Sequence, residues 1–162
     1  MANEARNGNG APAQQGPQIR ALGQYIKDFS FENPNAPRSL QPQTTSPPIN
    51  VQVNVNAKQL APNDFEIELK LEGGAGEGAN VLFNFELSYC GVFQLVDIPE
   101  QQKHPVVMIE CPRLLFPFAR QIVADAVSNG GFPPFLLNPI DFGALYQQRM
   151  QEQNATASTV VS

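Results

Sequence analysis

Few side chains in this chain of 162 residues could do chemistry on their own. There are two cysteines, Cys90 and Cys111, and a single histidine, His104. A zinc site takes about four ligands, usually in close-spaced pairs. Two distant cysteines and one histidine do not supply that set, so no metal is expected and the thiols should be buried and reduced. His104 precedes Pro105, a context for a loop or a helix end rather than a catalytic base. Gly73-Gly74-Ala75-Gly76-Glu77-Gly78 invites a phosphate-loop reading, but such loops lead into a helix whose N–H groups face the anion. This one leads into Val81-Leu82-Phe83-Asn84-Phe85-Glu86-Leu87-Ser88-Tyr89, an alternating strand, so it reads as a hairpin. The remaining enzymatic option is a carboxylate base in an apolar pocket, with Asp125 or Asp141 as the choices. Asp141 is better read as the cap of a helix starting at Phe142, and Asp125 as a solvated helix edge or an interface pair. No catalytic residue and no cofactor is assigned.

Charge excludes further classes. The chain has 10 Lys plus Arg against 15 Asp plus Glu, without the basic cluster that phosphate contacts require, so it is not read as a nucleic-acid binder. No run approaches the roughly 18 apolar residues of a membrane-spanning helix. The first residues, Met-Ala-Asn-Glu-Ala-Arg-Asn-Gly, have no hydrophobic signal region, so a cytoplasmic protein without membrane insertion is expected. Asn154-Ala155-Thr156 matches a glycosylation pattern that has no use in that setting. Residues 60 to 110 carry nine acids against Lys70 and Lys103. That surplus fits a solvated face, and it equally fits a docking surface for a basic partner.

The elements that position these groups are punctuated in the sequence. Residues 1–17 have almost nothing apolar and read as a disordered tail. From Tyr25 to Glu32 the chain alternates, placing Tyr25, Phe29 and Phe31 on one face and Asp28, Ser30 and Glu32 on the other. Asn33-Pro34-Asn35-Ala36-Pro37 ends that strand, and residues 38–48 form a long connection across the fold. Val51–Asn56 and Phe65–Leu71 are strict period-two strands joined by Pro62-Asn63-Asp64. Cys90-Gly91 predicts a bulge or bend before Val92–Leu95, which gives an antiparallel meander of about four strands. Residues 97–110 suit either a strand or a helix, with helix favoured. Pro112 marks a helix start, Gly130-Gly131 with Pro133-Pro134 marks its end, and Pro117 predicts a kink or restart near Leu115 and Phe116. A second helix from Phe142 should dissolve near Gln151, leaving 151–162 as a disordered tail.

The long helix has an unusually broad apolar face. Leu114, Leu115, Phe118, Ala119, Ile122, Val123, Ala126 and Val127 fan out well beyond a single stripe. A fully buried helix would look the same. The roughly 125 to 130 residues left to fold are too few to wrap it, so one side is expected on its own sheet and the other on a second subunit.

Four blocks resemble the SecB family of protein-export chaperones. They are Tyr25-Ile26-Lys27-Asp28-Phe29-Ser30-Phe31-Glu32 with Asn33-Pro34-Asn35-Ala36-Pro37; Phe83 to Phe93; Cys111-Pro112-Arg113-Leu114-Leu115-Phe116-Pro117-Phe118-Ala119-Arg120; and Gly131-Phe132-Pro133 with Leu137-Asn138-Pro139-Ile140-Asp141-Phe142. The similarity covers residues 18–150; it departs from the family at Cys90-Gly91, in the absence of tryptophan from 38–50, and in a longer N-terminal tail. It implies an α+β fold in which a four-stranded antiparallel sheet, a meander with a crossover connection, packs on a long helix plus a shorter C-terminal helix. It also implies a homotetramer, a dimer of dimers with the long helices at its centre, and so assigns Leu115, Ala119, Ile122, Val123, Ala126 and Val127 to the oligomer interface. The implied partners are unfolded precursor proteins and the SecA motor ATPase, with Asp28, Glu32 and Glu86 matching the acidic docking positions for SecA. The implied activity is holding without nucleotide hydrolysis, which needs only apolar grooves. Ile49 and Val51 beside the crossover, with Leu136, Phe142, Leu145 and Tyr146 near the second helix, are the candidate groove residues, and each could equally be ordinary core.

Overall fold

The computed structural model describes residues 16–159. The tail expected over 1–17 lies outside them except for Gly16 and Pro17, as does the end of the C-terminal tail, residues 160–162. Four strands run in chain order: β1 (Gln18–Glu32), β2 (Ile49–Ala61), β3 (Asp64–Ala75) and β4 (Phe83–Val96). Their order in the sheet is β1-β4-β3-β2, antiparallel throughout. Thus β2, β3 and β4 form a meander, while the segment after β1 crosses from one edge of the sheet to the other. That segment is tied down at its start: Ser39 is buried and its hydroxyl donates to Asn33 Oδ1 at 2.6 Å. Asn33 in turn donates to the Gly130 carbonyl at 3.2 Å, and Asn35 to the Val81 carbonyl at 2.9 Å.

The expected hairpin after β3 closes with Leu82 donating to the Ala75 carbonyl at 2.8 Å. Gly73 is required there by the neighbouring strand, because a Cβ would stand 2.3 Å from the Asn50 carbonyl oxygen.

The irregularity expected at Cys90-Gly91 falls on the opposite strand. β4 pairs with β3 without a shift, and β1 carries two shifts, at Ala21/Gly23 and Ile26/Asp28, which bracket the partners of Cys90 and Gly91. An extra residue on one strand turns its side chains over. Phe29 and Phe31 oppose Leu87 and Phe85 on the inner face, whereas Tyr25 opposes Cys90 and Glu68 on the outer one. The single face expected for Tyr25, Phe29 and Phe31 is therefore split by the bulge.

Helical structure begins earlier than Pro112 suggests. A short helix α1 (Glu100–Pro105) passes through a π-helical turn (Val106–Glu110) into α2 (Cys111–Asn129). The favoured helix at 97–110 is thus present. α2 runs through Pro117 without a break, so of the expected kink or restart the restart does not occur. Its inner side packs on β3 and β4, and the core joins Ile67, Leu69, Leu71, Leu87 and Phe93 to Leu115, Ala119 and Val123. Gly91 lets the helix approach, since a Cβ there would meet Phe93 at 2.7 Å and Leu115 at 2.9 Å.

After an extended run, Asp141 caps the third helix, α3 (Phe142–Thr159), through the Ala144 N–H at 3.0 Å. Phe142 enters the core and meets the Phe116 ring edge-on at 6.1 Å. α3 does not dissolve near Gln151. Gln, Met, Ala and Glu are good helix formers, and Gln148 donates to Glu152 one turn on.

Candidate functional site

β2 is an edge of the sheet, so one side of its backbone has no partner strand among the described residues. Its valines face inward, but towards this edge the cover thins. Val51 and Val53 are half-buried and Ile49 is 39 % exposed. The extended segment between α2 and α3 lies across from them because Pro133, Pro134 and Pro139 keep it from joining either helix. Between the two runs a cleft of about 410 Å³, lined by Ile49, Val51, Val53, Leu136, Leu137 and Ile140 among others. Leu136 stands at its mouth, 61 % exposed.

The six groove residues expected from sequence divide. Ile49, Val51 and Leu136 come together in this cleft. Phe142 does not, because the Asp141 cap turns α3 so that its first residue points into the core, where it is 1 % exposed. Leu145 packs against the core, and Tyr146 lines a second cleft of about 480 Å³ with Val55, Ala57, His104 and Arg149. There the Tyr146 hydroxyl lies 2.9 Å from His104 Nδ1, so the histidine sits at the end of α1 in a structural contact. Val53, Leu137 and Ile140 were missed. The alternation that marked Val51 also marked Val53, but nothing in the sequence told which stretch of the valine row would be left open.

The outer face of the sheet collects the acids. Asp28, Ser30 and Glu32 oppose Ser88, Glu86 and Asn84, so Asp28, Glu32 and Glu86 do share one face. Glu86 is not free: Lys70 bridges it and Glu72, both at 3.0 Å. This pairing raises the Lys70 pKa and lowers that of Glu72. Next to them Glu66 accepts a hydrogen bond from Tyr25 and pairs with Lys27 at 3.1 Å. That hydrogen bond, more than burial, pushes the Tyr25 phenol up to about 12.

α2 shows a third surface, and it differs from the one expected. Leu115, Ala119, Val123 and Val127 are fully buried against the chain's own sheet. These four belong to the core of the protomer, whereas Ile122 and Ala126 are half-buried. The open side carries Leu114 at 47 % and Phe118 at 53 % exposure, with Phe118 stacked over Tyr89 at 6.4 Å.

No constellation for covalent chemistry stands out among the described residues. Asp125 is exposed and accepts from Gln121 at 2.8 Å, Asp141 is a cap, and no cluster of three His, Cys, Asp or Glu side chains is suited to a metal. No helix there is long and apolar enough to cross a membrane.

Comparisons with known proteins bear on the family and the fold. The family model for the preprotein translocase subunit SecB matches residues 12–153. The protein-export protein SecB of Methylocella silvestris is 62 % identical over 162 residues, covering 99 % of each chain. That of Beijerinckia indica is 62 % identical over 156 residues, covering 96 % of this chain and 98 % of its own. Among solved structures, a SecB-like chaperone of Mycobacterium tuberculosis, in complex with a ChAD peptide from the HigA1 antitoxin, superposes with a TM-score of 0.57. It is 16 % identical, and the match covers 77 % of this chain and 91 % of that one, a likeness of fold. With a family model matched over residues 12–153 and a relative 62 % identical over 99 % of its length, this chain belongs to the SecB family of protein-export chaperones.

Proposed function

We propose that this chaperone of protein export holds unfolded precursors in the cleft between β2 and Leu136, without nucleotide, and passes them to SecA across its acidic face. The observation that carries the reading is an apolar cleft opening onto an unpaired strand edge. An unfolded chain offers apolar side chains and unsatisfied backbone groups, and this site receives both: valines and leucines take the side chains, and the edge of β2 takes the backbone. At roughly 25 cal/mol per Å² of apolar burial, one short segment contributes only a few kcal/mol before ordering costs. Firm holding therefore needs several clefts on one assembly, each adding its contacts by effective concentration. A homotetramer in the cytoplasm supplies them. The open side of α2, with Leu114, Phe118, Ile122 and Ala126, supports that assembly, since exposed apolar patches of this kind mark contact surfaces.

Delivery is a separate function of the opposite face. Asp28, Glu32 and Glu86 suit a basic segment of SecA, and the attraction should weaken with salt. Charge reversal at Asp28 and Glu86 together tests this division. SecA binding, followed by titration calorimetry, should drop about tenfold or more, while slowed refolding of an exported precursor persists. Equal loss of both would contradict a docking face distinct from the holding cleft.

A further inference from the structure

The two clefts lie end to end along β2. The first is lined by Ile49, Val51 and Val53, the second by Val55, Asn56, Ala57 and Gln59. One side chain stands at the junction. Arg149 of α3 donates to the backbone carbonyl of Val55, and its other guanidinium nitrogen donates to Asn54 Oδ1 at 2.6 Å. These are contacts between parts of the chain 94 and 95 residues apart.

The parity of the strand makes the Val55 carbonyl informative. The Asn50 carbonyl lies against Gly73 of β3, so even-numbered carbonyls of β2 point into the sheet. In an antiparallel ladder the backbone groups alternate, so those of Ile49, Val51, Val53 and Val55 point outward from the edge. Arg149 thus occupies the outward acceptor at which the first cleft has ended and the second begins. Beyond this contact residues 151–158 of α3 are exposed, with Gln153 still lining the second cleft.

We propose that Arg149 is a stop: it ends the run of β2 open to an added strand at Val53, divides what would be one long groove into two, and so sets the length of unfolded segment that one groove accepts. This rests on the reading of the Ile49 cleft as the holding site and adds a specificity-determining residue to it. A guanidinium suits the role. Its planar fork satisfies a carbonyl and a side-chain amide together, and its charge is expensive to strip of partners. An extended segment sliding past Val53 would have to displace both hydrogen bonds before gaining its own.

The test uses the full-length protein and fluorescein-labelled peptides of alternating leucine and serine, about five and about eleven residues long, matching one cleft and both at strand spacing. In the unaltered protein the two peptides should bind with similar affinity by anisotropy. In Arg149→Ala the longer one should bind about threefold to tenfold more tightly than the shorter, the gain expected for one or two added backbone hydrogen bonds. Arg149→Lys keeps the charge and the helix contact but not the fork, and should show the same gain in smaller measure. It carries the test if Arg149→Ala loosens α3, which circular dichroism reports. An identical length response in all three proteins overturns the stop. If the short peptide fails to bind, or binds Leu136→Asp as well as the unaltered protein, the holding cleft is wrong and the stop falls with it. If the short peptide binds and Leu136→Asp abolishes that binding, a missing length response refutes the stop alone.

Discussion

Cys90 and Cys111 are fully buried and unpaired. Burial, helped by Glu68 for Cys90 and by Glu110 for Cys111, pushes the two thiols up to about 11 and about 12. Reaction with a disulfide reagent needs the thiolate. At pH 8 the native protein should therefore release almost no chromophore from Ellman's reagent, and both thiols should react once denaturant is added; rapid labelling of either in the native state would contradict this burial. Gly91 is decided by a neighbour rather than by its own conformation. With Phe93 and Leu115 within 3 Å of any Cβ, Gly91→Ala should cost about 1–3 kcal/mol in urea unfolding, because the core has no slack to absorb the methyl. The sequence signalled a special residue at this site but could not say that a helix presses on it. The same holds for Arg149, whose importance depends on a carbonyl 94 residues away and leaves no local trace.

Among the elements, what was readable followed from periodicity and punctuation. The alternation of Val51 to Asn56 and Phe65 to Leu71 found β2 and β3, and Asp141 before Phe142 found the start of α3. What was not readable was pairing. The placement of the bulges on β1 depends on which strand lies beside Cys90-Gly91, and that is a tertiary fact. The same limit explains α2. Its broad apolar face was visible, but which side meets the sheet is fixed by Gly91 and Phe93, so Leu115, Ala119, Val123 and Val127 went inward and Leu114 and Phe118 outward. The interface on α2 is accordingly proposed for its open side. A charge at Phe118, which is 53 % exposed, would cost the protomer only the ring contact with Tyr89 and be buried in an assembly that uses this side. Phe118→Glu should reduce the mass by light scattering at least to that of a dimer, with an unfolding midpoint that stays cooperative. An unchanged mass would place the contact elsewhere.

For the whole molecule, the arrangement separates three surfaces: an apolar cleft at the β2 edge, an acidic outer face of the sheet, and the open side of α2. The proposed function uses such separation, since it would have clients, a receiving motor and sister subunits bound at the same time on different faces. Holding by preferential binding of the unfolded chain follows mass action and opposes folding in proportion to client occupancy, with no input of chemical energy. The most direct measurement is the refolding rate of an exported precursor, diluted from denaturant without nucleotide, in the presence of this protein and of Leu136→Asp. The unaltered protein in slight excess should slow refolding severalfold, and Leu136→Asp, with its cleft mouth charged but its core untouched, should lose most of that effect. Refolding at the spontaneous rate with several-fold excess of the unaltered protein, or equal slowing by Leu136→Asp, would contradict the account.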